Sequence, residues 1–169
     1  MRRTLVLAGS LFLLWTIVSQ LNDTLSGFRL YVFAGALFVA FIALTQPRRS
    51  GIVAVMLGGL ICDANAPVYF GLHMMLFATA HTTLFYLRDR VPRDDNVSAI
   101  VVVLLTNLAL FLVFSFTQIH DSPVPAAIWP RLIADLVCSQ IFLTLVTPWF
   151  FALQAGALAL ARIPRDDVP

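Results

Sequence analysis

Arginine falls in alternate gaps between the apolar runs of this chain, and that alternation constrains its fold more than any other feature. Arg2 and Arg3 precede the first run, and Arg48 and Arg49 separate the second from the third. Arg88, Arg90 and Arg93 separate the fourth from the fifth, and Arg162 and Arg165 follow the sixth. The other gaps carry only Arg29 and Arg131, each at the edge of a run. Short Arg-rich loops stay on the cytoplasmic side of a membrane, where basic residues set helix orientation. The pattern predicts an all-α polytopic membrane protein, a bundle of six transmembrane helices with N-terminus and C-terminus both cytoplasmic.

An apolar share of 60% and a mean hydropathy of +0.89 exclude an ordinary soluble domain. Six spans in 169 residues leave no room for a second domain, so residues 1–169 read as one unit. Only helices or closed barrels satisfy their backbone in lipid, and these uninterrupted runs lack the alternation of a barrel strand. Hydropathy places the spans at 4–21, 28–44, 51–62, 70–87, 97–118 and 131–161, the last with a kink or break near Pro148. Trp129 and Trp149 suit the two interfaces, where indole rings prefer to sit. The first run has the basic start of a signal peptide, but residues 18–23 offer no small-residue cleavage site, so it is expected to remain as a helix.

All basic residues are Arg and all acidic ones Asp. The basic loops are short and serve orientation, which excludes nucleic acid as a partner. Phosphate-cradling glycine loops, nucleophile elbows and zinc-spaced cysteines are absent from the sequence, so neither an enzyme nor a cofactor is expected. Cys62 and Cys138 read as small apolar fillers. His73 and His81, eight residues apart, stand roughly 80° from each other round a helix and make no two-ligand metal face.

The most informative local stretch runs from Gly58 to His73. A short apolar run meets Asp63, then Asn65, Pro67 and Gly71 before the next run starts. Residues 63–69 are expected below the outer surface as a turn or short re-entrant piece, which survives at that depth only if protein or trapped water satisfies it. Two readings of Asp63 stand side by side: a cap for the next helical turn, or an ionisable group placed there for function.

Gly59, Asp63, Gly71, Leu72 and His73 form a Gly-x-x-x-Asp, then Gly-Leu-His pattern that resembles the rod shape-determining protein MreD family. The chain length, the six runs with a cytoplasmic start and the Arg/Asp-rich loop from Arg88 to Asp95 are similar too. His81-Thr82-Thr83 departs from the aromatic or Gly-rich continuation expected in span four. The resemblance implies a non-catalytic inner-membrane scaffold that controls cell shape by binding MreC, through its transmembrane helix and periplasmic region. Through MreC it would be linked to the peptidoglycan polymerase RodA and its class B transpeptidase.

A second reading is the substrate-binding membrane subunit of an energy-coupling-factor vitamin transporter, with Asp63, Asn65, Arg131 and Asp135 lining an outward pocket. Such carriers show an Ala-x-x-x-Ala face in their first span, and here Ala8 is followed by Phe12. Arg131 and Asp135 share a helix face and can pair, either lining a pocket, gripping a partner or seating the start of span six. The candidate partner or pocket residues are therefore Asp63, Asn65, Gly71, His73, Arg131 and Asp135. Asn107 is expected to make an interhelical hydrogen bond. Small residues spaced for close helix approach occur at Ala36/Ala40, Ala54/Gly58 and Ala152/Gly156, with Ala54 and Gly58 the pair most worth testing.

Overall fold

A helix with no polar face has nowhere to go but the interior, and the segment Gly35–Thr45 is of that kind. In the computed structural model, which describes residues 2–65, 69–91, 96–120 and 125–161, it forms helix α2, buried from Gly35 to Ala43. The other helices are α1 (Arg2–Ser26), α3 (Arg48–Asn65), α4 (Leu72–Leu87), α5 (Asn96–His120) and α6 (Pro125–Leu160), with a single 3-10 turn at Arg88–Arg90. Helices α3, α4, α5 and α6 all pack against α2, while α1 lies outside against α3. The described residues are all-α, without a strand.

Three of the helices contain stretches long and apolar enough to cross a membrane: Leu5–Ser26, Asn96–Thr117 and Ile128–Leu160. Their outward faces are apolar as well. Ile133, Val137, Ile141, Leu145, Trp149 and Leu153 form an exposed stripe with a four-residue repeat along α6. Water-soluble monomers rarely expose a contiguous apolar face of that extent, whereas lipid covers it without cost.

The largest departure from the expected spans is the second. Residues 28–44 were expected to be one helix, but residues 30–34 belong to no regular element and only the last 11 residues to Thr45 are helical. Phe28 and Arg29 close the end of α1 through bonds to Leu25 and Ser26, and Arg29 adopts a left-handed φ of 57° that turns the chain back. A continuous apolar run does not distinguish a buried strand from a buried helix, and Tyr31-Val32-Phe33 has the β-branched and aromatic character that suits an extended backbone.

Other boundaries move outward. Asn22 and Asp23 do not end α1, which reaches Ser26. Helix α3 continues through Asp63 to Asn65, so Asp63 is helical and the expected irregular piece does not begin there; residues 66–68 of it lie outside the described residues. Gln46 takes an extended conformation (φ −113°, ψ 152°), as the residue before Pro47 must, and this separates α2 from α3. Helix α6 starts at Pro125, ahead of Arg131, and no break occurs at Pro148: it stays helical through both Pro130 and Pro148.

The small-residue pairs have divergent fates. Ala36 and Ala40 are fully buried in α2, and so is Ala54 in α3. A Cβ at Gly58 would collide with Leu11 of α1 and lie 2.9 Å from the Phe38 ring of α2. That pair is therefore occupied within the chain. A Cβ at Gly156 would meet nothing.

Candidate functional site

The first nitrogens of any helix lack intrahelical acceptors and need a partner. For α4 that partner comes from α3. Asp63 Oδ1 accepts the backbone N–H of His73 at 2.9 Å, and Oδ2 accepts that of Met74 at 3.1 Å. The same Oδ1 lies 2.9 Å from His73 Nδ1, whose proton it accepts. The Asp63 side chain is wholly buried. Asp63 thus acts as a cap, supplied from the preceding helix in place of the usual flanking residue, which here is Gly71 and has no side chain to offer. Gly71 has φ +94°, a left-handed conformation that a glycine adopts without strain. One turn before Asp63, a Cβ at Gly59 would run into the Met74 Cα and lie 2.6 Å from its backbone nitrogen. Gly59, Asp63, Gly71 and His73 are consequently one mechanical unit, a clamp that seats α3 on the start of α4. Asn65 ends α3, and its side chain lies outside the described residues.

A second clamp holds the non-helical segment before α2. Tyr31 N–H donates to Asp135 Oδ1 at 2.8 Å, and Phe33 N–H donates to Ser139 Oγ at 3.0 Å. Between them, Val32 N–H donates to Asn22 Oδ1 at 2.7 Å while Asn22 Nδ2 donates to the Val32 carbonyl at 3.0 Å. Three consecutive backbone amides are therefore held by α1 on one side and α6 on the other. Buried backbone polar groups must find partners, and here side chains do the work of a neighbouring strand. Asp135 and Ser139 are one helical turn apart and share a face, and the Ser139 hydroxyl donates back to the Asp135 carbonyl at 2.7 Å. Arg131, 64% exposed at its side chain, approaches Asp135 Oδ2 at 3.8 Å. The expected Arg131–Asp135 pairing is present, and the dominant role of the carboxylate is to hold Tyr31.

Aromatic rings join the two clamps. Phe33 packs on Phe114 (5.4 Å between centroids) and Phe77 (6.4 Å), and His73 packs on the same two rings at 4.4 Å and 5.8 Å. The space where a polar pocket was expected is filled. A cleft opens instead between Leu14, Trp15 and Val18 of α1, the segment 31–35 and Cys62, and its lining includes neither Asp63, Arg131 nor Asp135.

Asn22 and Ser139 were not singled out from sequence. Asn22 looked like the end of a span, and a serine one turn after Asp135 is an ordinary occurrence. The spacing of Asp135 and Ser139 on one face was the available signal. Asn107 needs correction: it is fully buried, but neither end of its amide is hydrogen-bonded. Thr106 is bonded to the Val102 carbonyl and Gln140 Nε2 to that of Leu104, while Gln140 Oε1 is, like the Asn107 amide, buried without a partner. Among the described residues no three metal-binding side chains converge, and Cys62 and Cys138 are free thiols. Arg88 also departs from expectation, since it is buried and does not project from a solvated loop.

Asn22→Ala removes both bonds to Val32 and leaves its N–H and carbonyl without partners, so it is expected to destabilise the protein by about 2 kcal/mol. Thermal unfolding followed by tryptophan fluorescence in detergent measures this. An unchanged melting point would mean that α1 does not hold the non-helical segment.

No known protein family, curated protein or solved structure matches this chain.

Proposed function

We propose that this chain is a six-span, non-catalytic scaffold of the bacterial inner membrane, of the MreD kind, acting in the cell-elongation machinery with both termini in the cytoplasm. One observation carries the reading. Of the residues that carry the resemblance (Gly59, Asp63, Gly71, Leu72 and His73), Gly59, Asp63, Gly71 and His73 form a single interlocking joint between α3 and α4.

The dimensions support six crossings. In the second run, the 11 residues of α2 rise about 1.5 Å each, and the non-helical residues 30–34 add to that length. Its non-helical half is tolerable at membrane depth because protein satisfies it. Helix α3, with 18 residues, covers about 27 Å. On α6, Trp129 and Trp149 stand roughly 30 Å apart along the axis, close to the thickness of the hydrocarbon core.

The vitamin-carrier alternative loses ground. Of its polar residues, Asp63 and Asp135 are engaged in holding backbone, and rings pack between the two clamps. A partner such as MreC must then bind the outside of the bundle, where exposed apolar faces and the open Ala152/Gly156 pair of α6 are available to a transmembrane helix.

The test is capture of the tagged protein from native membranes in mild detergent, with partners identified by mass spectrometry. Recovery of a single-span periplasmic coiled-coil protein together with an elongation polymerase is expected. Recovery of a membrane coupling subunit with its ATPases would overturn the scaffold reading.

A further inference from the structure

Away from both clamps, at the opposite end of α4, a buried arginine, a buried histidine and an exposed arginine lie among aromatic rings. Arg88 is 8% exposed, and its guanidinium carbon sits 3.9 Å from the centroid of Phe85. Its Nη1 donates to the Gln46 carbonyl at the end of α2, at 3.3 Å. Its Nε makes no hydrogen bond, and an Asp89 oxygen stands 3.9 Å off on a side chain that is 72% exposed. Seven residues earlier on the same face of α4, His81 is fully buried with neither ring nitrogen bonded. Its ring stacks on Phe85 at 6.1 Å, and its Nε2 abuts Gly51 of α3. Arg48, at the start of α3, lies 5.2 Å over Tyr86, whose ring packs against Phe85. The charges of Arg48 and Arg88 both act on His81.

Buried cations are ordinarily paired and fully hydrogen-bonded, because an unmatched charge out of water is costly. Here the buried Arg88 has only an exposed carboxylate at 3.9 Å from its unbonded Nε–H, with an unbonded imidazole on the ring it shares and the exposed Arg48 over the neighbouring Tyr86 ring. Arginine's planar fork suits the oxygens of a phosphate. The location matters too. The cluster lies where α2 ends, α3 begins and α4 ends, next to the exposed Tyr86 and Leu87. In a membrane-spanning chain those ends meet the headgroups, where basic pockets between helices take anionic lipid.

We propose that this cluster binds the phosphate of an anionic glycerophospholipid headgroup, with the Arg88 Nε–H edge as donor, Arg48 as the second charge, and Tyr86 against the glycerol and acyl portion. The site rests on the chain residing in a bilayer and is independent of any protein partner.

The experiment follows melting of the purified full chain in a neutral detergent. The additives are mixed micelles of dioleoyl-phosphatidylglycerol, the same with dioleoyl-phosphatidylcholine, or inorganic phosphate. Phosphatidylglycerol is expected to raise the melting point by roughly 5 °C at about a hundred times its dissociation constant. Phosphatidylcholine should leave it unchanged. Arg88→Gln and Arg48→Gln should each remove most of that increment. Arg48 is exposed, so its substitution leaves packing intact and decides the matter if Arg88→Gln does not fold. Equal responses to the two lipids, or a full phosphatidylglycerol response in Arg48→Gln, would overturn the proposal. A response to inorganic phosphate as large as that to phosphatidylglycerol would reassign the cluster to a soluble phosphate. None of these readings involves a partner protein, so failure here leaves the scaffold reading standing, and the reverse.

Discussion

Asp63→Ala is expected to destabilise the protein by about 4 kcal/mol, as much as truncating a buried phenylalanine. The substitution strands two backbone N–H groups and the His73 ring nitrogen in a region closed to water, and each orphaned donor costs about 1–3 kcal/mol. Asp63→Asn is the milder and more informative change. It keeps one acceptor oxygen, but turns an amide NH2 toward the N–H of either His73 or Met74, for a loss of about 2 kcal/mol. The two variants separate a cap from a functional group. A cap predicts a lower melting point with unchanged capture of partners per folded molecule. Normal melting with partners lost would mean that Asp63 acts on something outside the chain, and that its bonds to α4 are incidental. The same logic applies to His73→Phe. That change keeps the packing on Phe77 and Phe114 but removes the ring nitrogen, leaving the two backbone bonds to Asp63 in place. Its cost should be well below that of Asp63→Ala.

Hydropathy and arginine placement were enough to read the all-helical class, because a run of apolar residues long enough to span lipid has few other uses. The interior was harder to read, for reasons that differ from residue to residue. Residues 30–34 look like the first half of a helix because every one of them is apolar, and an all-apolar stretch carries no period. What holds the segment outside a helix is Asn22, Asp135 and Ser139, which lie in other helices and reveal nothing until those helices are packed. Asp63 was legible as a cap by residue type, but the helix it caps begins nine positions later, beyond the local spacing from which capping is usually inferred. Asn107 shows the converse. A buried amide in an apolar helix asks for a partner, yet whether the facing helix offers one depends on which polar atoms there are already engaged. Arg88 belongs to a loop by its charge and to the interior by its neighbours, since Phe85 and the Gln46 carbonyl provide a ring to stack on and an oxygen to bond. Long basic side chains can lie along apolar surface in this way, and charge counting does not detect it.

Gly59→Ala is expected to cost about 3 kcal/mol or more, although it adds a single methyl group and improves helix propensity. The new Cβ would press on the backbone of Met74 and lie 2.8 Å from the carbonyl carbon of His73, and neither can swing aside as a side chain tip can. Helix α3 would have to lift off the start of α4, lengthening the two backbone hydrogen bonds that Asp63 accepts. The damage should therefore overlap with that of Asp63→Ala: the double variant should lose clearly less than the sum of the single losses, because both act on one joint. Gly156→Ala is the matched control. It too adds a methyl to a helical glycine, but into open space, so it should stabilise α6 by roughly 0.5–1 kcal/mol through backbone entropy alone. Melting of the two glycine variants and the double mutant in the same detergent reads the whole comparison. Strict additivity between Gly59→Ala and Asp63→Ala would mean that the two residues serve separate contacts and not one joint. Strong overlap would make the spacing from Gly59 to Asp63 a requirement of geometry, since one turn of helix is the distance that lets a missing side chain and a buried carboxylate grip the same helix start.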